Sequence, residues 1–146
     1  MLAGVDGASV LDLFAGTGAR GIEAISRGAR SAVCVERDAA VSRVLRANLD
    51  ALGIAGELAQ LRRVDVLEAL QSARARQETY DLVFIDPPYE QAHAWGPELS
   101  AMLPSLLRPD ARVVVESDRR APLELEVALE REKRYGDTSI TIHRHQ

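Results

Sequence analysis

The sequence predicts an α/β protein built on a doubly wound, seven-stranded, mostly parallel sheet with one antiparallel strand near an edge. Three observations carry this prediction. Short β-branched runs alternate with amphipathic stretches along all 146 residues. The runs are continuously apolar rather than alternating, the pattern of strands covered on both faces. The last two runs are joined only by Gly136-Asp137, too short a link for a parallel crossover, so they pair antiparallel.

The elements follow in order. Ser9 to Phe14 (SVLDLF) reads as a buried strand running into a glycine-rich turn, Ala15 to Gly18. Arg20 to Arg27 places Ile22 and Ile25 on one face and stops at Gly28, a helix with a glycine C-cap. Ser31 to Glu36 is a second strand, and Asp38 caps a helix running to about Leu52. A weaker strand near 58–64 precedes Asp65 and a helix through about Ala75. Tyr80 to Ile85 (YDLVFI) gives the strongest strand signal and ends at Asp86-Pro87-Pro88. A helix is expected from Glu98 to Leu107, with a kink at Pro104. Ala111 to Glu116 reads as a strand, Leu123 to Leu129 as a helix, and the tail to His145 as the antiparallel pair.

Composition narrows the function classes. Hydrophobic residues make up 47% and charged residues 27%, the balance of a globular chain, and the length predicts one domain spanning 1–146. Apolar runs of about five residues fall far below the roughly 20 needed to span a bilayer. The first residues resemble no signal peptide, so a cytoplasmic protein without membrane partners is expected. Cys34 is the only cysteine, which excludes an intrachain disulfide and a cysteine-rich zinc site. No metal is expected: His143 and His145 lack a third ligand nearby. The net charge of −4 gives no basic excess of the kind that marks phosphate-binding surfaces. Nucleic acid stays possible on composition, without support from it.

In open α/β sheets ligands bind beyond the carboxyl ends of the strands, and the suggestive residues fall there. Gly16-Thr17-Gly18-Ala19-Arg20-Gly21 matches G-x-G-x-x-G directly after a strand. The same geometry serves NAD or any adenosine ligand. Asp12, inside the strand, opposes a pyrophosphate but suits a ligand with an ammonium and a sulfonium, which favours S-adenosylmethionine (SAM). Glu36 ends the second strand, where a carboxylate can accept from both ribose hydroxyls. Asp65 has two readings, a helix N-cap or an acceptor for the adenine amino group.

Asp86-Pro87-Pro88-Tyr89 is the most specific feature. Two prolines fix the backbone and remove N–H donors, so the turn presents carbonyl oxygens rigidly. With the Asp86 carboxylate and the Tyr89 ring they form an acceptor pair beside a stacking face, suited to a planar base bearing an amine. His93 and Trp95 follow the turn and could line the same pocket, though loop packing is the simpler role. Cys34 reads as a small core residue.

At this point the chain resembles a known family. Val10-Leu-Asp-Leu-Phe-Ala-Gly-Thr-Gly18, Glu36-Arg37-Asp38, Val64-Asp65-Val66 and Phe84-Ile-Asp-Pro-Pro-Tyr89 are similar to the RsmD-type enzymes. These methylate guanine-N2 in small-subunit (16S) ribosomal RNA. The resemblance implies a Rossmann-like class I SAM-dependent methyltransferase fold. It implies that Asp12, Gly16 and Gly18 hold the methionine end of the cofactor, Glu36 the ribose and Asp65 the adenine, with Ala15, Arg37 and Val66 completing that set. Asp86, Pro87, Pro88 and Tyr89 become the catalytic group. The implied partner is ribosomal RNA or a small-subunit assembly particle, bound by a monomer. An adenine-N6 DNA methyltransferase shares the glycine loop and the Asp-Pro-Pro-Tyr turn and remains the alternative. Family members carry a hairpin and a helix before the first strand. Their absence here predicts a truncated form with weak SAM binding and little turnover.

Overall fold

The computed structural model describes residues 4–88 and 90–146. One sheet of seven strands orders them β3-β2-β1-β4-β5-β7-β6. The strands are β1 (Ser9–Asp12), β2 (Ser31–Val35), β3 (Ala59–Arg62), β4 (Tyr80–Ile85), β5 (Leu107–Asp118), β6 (Leu129–Tyr135) and β7 (Thr138–Arg144). β1 to β5 run parallel, whereas β7 pairs antiparallel with both β5 and β6. The expected sheet, with its antiparallel strand next to the edge, is thus the observed one.

Among the described residues four α-helices pack on it: α1 (Ala19–Ser26), α2 (Ala39–Ala51), α3 (Val66–Ala75) and α4 (Gly96–Met102). α2 and α3 start where the sequence says they should, because Asp38 and Asp65 accept from the N–H groups of Val41 and Glu68 at 2.9 and 2.8 Å. Those bonds satisfy donors that a helix N-terminus leaves orphaned. One core layer combines Leu11, Val83, Ile85, Val113 and Val115 with Leu70, Leu99 and Leu103. The opposite face packs Val10, Leu82 and Phe84 against Ala24, and Cys34 against Leu45 and Leu49. Burial pushes the Cys34 thiol up to about 12, with the Asp12 charge adding to it, so it is an inert core group as read.

Two glycines set the fit of the first helix. Gly18 caps α1 at φ 94°, a conformation L side chains avoid, and a β-carbon there would collide with Leu45. At Gly21 a β-carbon would come within 2.9 Å of Cys34 Sγ, so only glycine lets α1 approach β2 this closely.

Two expectations are corrected. No helix covers 123–129: residues 121–128 are irregular and β6 begins at Leu129. Leu123, Leu125 and Val127 alternate with Glu124 and Glu126, a period of two rather than 3.6. The apolar members pack on the core from an extended segment. That segment is tied down by Leu123 N–H to Ser117 Oγ at 3.2 Å, Glu126 N–H to Ser100 Oγ at 3.0 Å, and His143 Nδ1 to the Val127 carbonyl at 2.9 Å. The helix expected over 98–107 starts earlier and ends at Met102. Pro104 opens a 3₁₀ turn (Pro104–Leu106) instead of kinking a longer helix, and Leu107 already belongs to β5.

Replacing Gly18 by alanine combines left-handed strain with a clash against Leu45. We expect a loss of about 2 kcal/mol or more, read as a lower urea midpoint with an unchanged slope.

Candidate active site

A cleft of about 750 Å³ opens at the carboxyl ends of β1, β2 and β4. Its position follows from the topology, since the chain crosses from one side of β1 to the other between β3 and β4. Ala15, Gly16, Glu36, Arg37, Asp65 and Val66 line one part of it, and Asp86, Pro87 and Pro88 another. Residues separated by more than 70 positions are therefore brought to one cavity. Tyr89 lies outside the described residues.

The glycine loop is held from three sides. Ala15 N–H donates to the Val35 carbonyl at 2.9 Å, Gly18 N–H to the Ala15 carbonyl at 3.0 Å, and Asn48 Nδ2 to the Thr17 carbonyl at 2.9 Å. Glu36 joins the loop to the next helix: Oε1 accepts from Gly16 N–H and Oε2 from Asp38 N–H, both at 3.0 Å. Each oxygen of a carboxylate has two lone pairs, so acceptor capacity remains on both. Asp65 takes the cap role and also stands at the cleft. Oδ1 caps α3 while the residue also faces the cleft.

Asp12 and Gly18 are placed differently from the lining residues. Gly18 is buried and shapes the loop as the cap of α1. Asp12 is wholly buried, and neither of its oxygens has a hydrogen-bond partner among the described residues. Burial pushes this carboxyl up to about 6, a rise that the Arg20 charge and the nearby Phe14 N–H only partly offset.

Arg20 is the site residue that sequence reasoning missed. It stands in the first turn of α1 and lines the cleft. Its Nη2 donates to Asp86 Oδ2 at 2.6 Å and to Glu116 Oε2 at 2.5 Å. Burial pulls the guanidinium down, but Asp86, Asp12 and Glu116 more than compensate and hold it above its ordinary value. No local signal exposes this contact, because the partners lie 66 and 96 residues away. Trp95 does line the cleft, edge-on to Phe14 with centroids 5.7 Å apart. His93 is exposed and is not among the lining residues.

Comparison with known proteins now identifies the scaffold. The family model described as "Conserved hypothetical protein 95", which represents the RsmD family, matches residues 1–144. The chain belongs to this family. It is 35% identical over 147 residues to the "Putative rRNA methyltransferase YlbH" of Bacillus subtilis, covering 95% of this chain and 77% of the relative. It is 34% identical over 113 residues to the "Ribosomal RNA small subunit methyltransferase D" of Haemophilus influenzae, covering 77% of this chain and 58% of that protein. Among solved structures, an RNA methyltransferase from Salinibacter ruber in complex with S-adenosyl-L-homocysteine shares the fold, with a TM-score of 0.71 at 22% identity over 96% of this chain and 82% of that one.

The residues that line this cleft fit SAM. An unpartnered carboxylate buried in β1 complements a cationic ligand and opposes a pyrophosphate. No helix among the described residues is long and apolar enough to cross a membrane.

The orphaned Asp12 charge has a measurable consequence. An acid whose folded-state value is raised binds more protons folded than unfolded, so stability falls as pH rises through that window. The ordinary 3.8 and the folded value of about 6 bound the window. The difference corresponds to about 3 kcal/mol at roughly 1.4 kcal/mol per pH unit. Asp12→Asn should therefore stabilise the ligand-free protein at pH 7 by up to about 3 kcal/mol, with the gain gone below about pH 4. Denaturant midpoints of both proteins across that range measure it.

Proposed function

We propose that this chain transfers a methyl group from SAM to an exocyclic amine of a base in ribosomal RNA, namely guanine-N2 of 16S RNA. The observation that carries the reading is the placement of Asp86-Pro87-Pro88 in the same cleft as the glycine loop, Glu36 and Asp65. The small-subunit relative supports the choice of RNA.

In this reading SAM, when bound, supplies an electrophilic methyl group on a sulfonium; the chain supplies orientation and charge. Asp12 provides the negative field for the cationic end of the cofactor. Gly16 and Ala15 offer the backbone floor, Glu36 accepts from the ribose hydroxyls, and Asp65 accepts from the adenine amine with the oxygen that does not cap α3. Arg37 and Val66 close the sides of the adenosine site.

Asp86 and the Pro87 carbonyl accept the two N–H groups of the substrate amine. An amine on an aromatic ring is a poor nucleophile because its lone pair is delocalised into the ring. Two acceptors favour a pyramidal nitrogen and direct the lone pair toward the methyl group. As positive charge develops on nitrogen the same acceptors stabilise it, a preorganised electrostatic effect. Fixing nucleophile and electrophile in line contributes through proximity. Afterwards the extra proton leaves to Asp86 or to water. Tyr89 is assigned the stacking face for the base.

The division into two subsites predicts separable phenotypes. Asp86→Ala should abolish transfer while leaving SAM affinity within about threefold, whereas Glu36→Ala should weaken SAM binding by about 1.5–3 kcal/mol, the range of a charge-assisted bond. Calorimetry with SAM and tritium transfer to small ribosomal particles, naked RNA and duplex DNA read both. Label entering only DNA would replace the guanine-N2 reading with the adenine one. Equal loss of SAM affinity in both variants would remove the division itself.

A further inference from the structure

Arg20 places one cation between the proposed cofactor and base subsites. It sits two residues after Gly18, so the loop that forms the cofactor floor also sets where its side chain starts. Its Nη2 contacts Asp86 at the end of β4 and Glu116 within β5. Arg20 and Asp86 both line the cleft. Glu116 stands opposite Ile140 in the β5–β7 register and serves as the anchor of the bridge.

Charge-assisted bonds of this kind are short and directional. A carboxylate bound at one oxygen loses its freedom to rotate, and its second oxygen remains an acceptor of fixed direction. In Asp86, Oδ2 is the bound oxygen and Oδ1 the remaining one. A base amine needs such an acceptor held still, because misplacement by an ångström costs a large factor in rate. The surroundings add a second requirement. Asp12 from β1, Glu36 from β2, Asp86 from β4 and Glu116 from β5 bring four carboxylates toward this end of the sheet. Without a cation among them they repel one another and take up protons more readily.

We propose that Arg20 is a positioning residue for methyl transfer: braced on Glu116, it fixes the Asp86 carboxylate so that Oδ1 faces the substrate amine. The inference rests on the methyltransferase reading above. It goes beyond that reading by assigning a role to a side chain that touches neither the methyl group nor the amine.

The test compares the parent with Arg20→Ala, Arg20→Lys and Glu116→Gln. Single-turnover transfer at saturating SAM is followed from about pH 5 to 9. Arg20→Ala is expected to slow transfer at neutral pH by about tenfold or more and to move the acid limb of the profile up by about one pH unit. At about pH 8, where Asp12 is ionised in both proteins, its SAM affinity should stay within about threefold of the parent, since the lost contact is to Asp86. Arg20→Lys restores the charge and should return the acid limb, while recovering only part of the rate because an ammonium lacks the planar fork. Glu116→Gln keeps an acceptor for Arg20 and should fall between parent and Arg20→Ala.

A parent-like rate and profile in Arg20→Ala would overturn the proposal, and so would a loss appearing wholly in SAM affinity. Carbon-13 NMR of the Asp12 carboxyl provides a readout that needs no RNA. It should titrate at about 6 in the parent, and higher in Arg20→Ala, because the Arg20 charge opposes the rise caused by burial. An unmoved Asp12 titration would show that Arg20 does not govern the cluster. A parent that methylates no RNA would instead defeat the proposed function and leave the NMR result standing.

Discussion

The structure depends on a row of acids gathered at the carboxyl edge of a parallel sheet. Asp12 ends β1, Glu36 follows β2, Asp65 follows β3 and Asp86 follows β4. The order β3-β2-β1-β4 sets these strand ends side by side, so Glu36, Asp65 and Asp86 face one cleft and Asp12 lies buried beneath it. Parallel strands are what make this possible, because in an antiparallel sheet alternate strands would deliver their ends to opposite edges. The N-termini of α1, α2 and α3 arrive at the same edge, and the positive ends of their dipoles partly balance the charge. Asp38 and Asp65 hold two of those termini in place.

The row is not uniform, and its differences assign chemistry. Glu36 and Asp65 are tied to backbone N–H groups and keep spare lone pairs toward the cleft. On the proposed function they serve as rigid acceptors for neutral donors. Asp86 is bound by a guanidinium, which fixes its direction. Asp12 alone is wholly buried with both oxygens unpartnered. Folding to the ligand-free state leaves that carboxyl in an environment that penalises its charge, and a bound cation relieves the penalty. On the proposed function, stability is sacrificed at the residue where a cationic ligand gains most, the usual relation between strained sites and function.

Much of this was legible in the sequence because it rests on local pattern. Continuous apolar runs gave the strands, Asp38 and Asp65 marked helix starts, and glycine spacing located the loop. Reading fails where the deciding contacts are distant or where two periods compete. The segment Leu123 to Leu129 carries apolar residues at a spacing of two, the pattern of an extended segment with one face on the core rather than of the expected helix. Its conformation is decided by Ser100, Ser117 and His143, which come from α4, β5 and β7. Arg20 looked like an interchangeable position of the glycine motif, because its partners become neighbours only when β4 and β5 pair. Asp12 stands out in the sequence for its charge. What the sequence could not disclose was depth, which places it beneath the cleft rather than in its wall.

An acidic cleft must still admit the proposed substrate, which is itself a polyanion. Charges in water are screened over about 8 Å at physiological ionic strength. A base drawn out of its stack projects its reactive edge away from the backbone that carries its phosphates. Acids recessed at the sheet edge therefore meet the donor groups of the base at contact distance, while the phosphates remain near the rim. The rim is better suited to them, since Arg37 stands exposed beside Glu36 and lines the cleft. The net charge of −4 is then no argument against RNA. What matters is the order of charge with depth: Arg37 at the mouth, hydrogen-bonded carboxylates on the walls, and below them the orphaned Asp12, where a cation has most to offer.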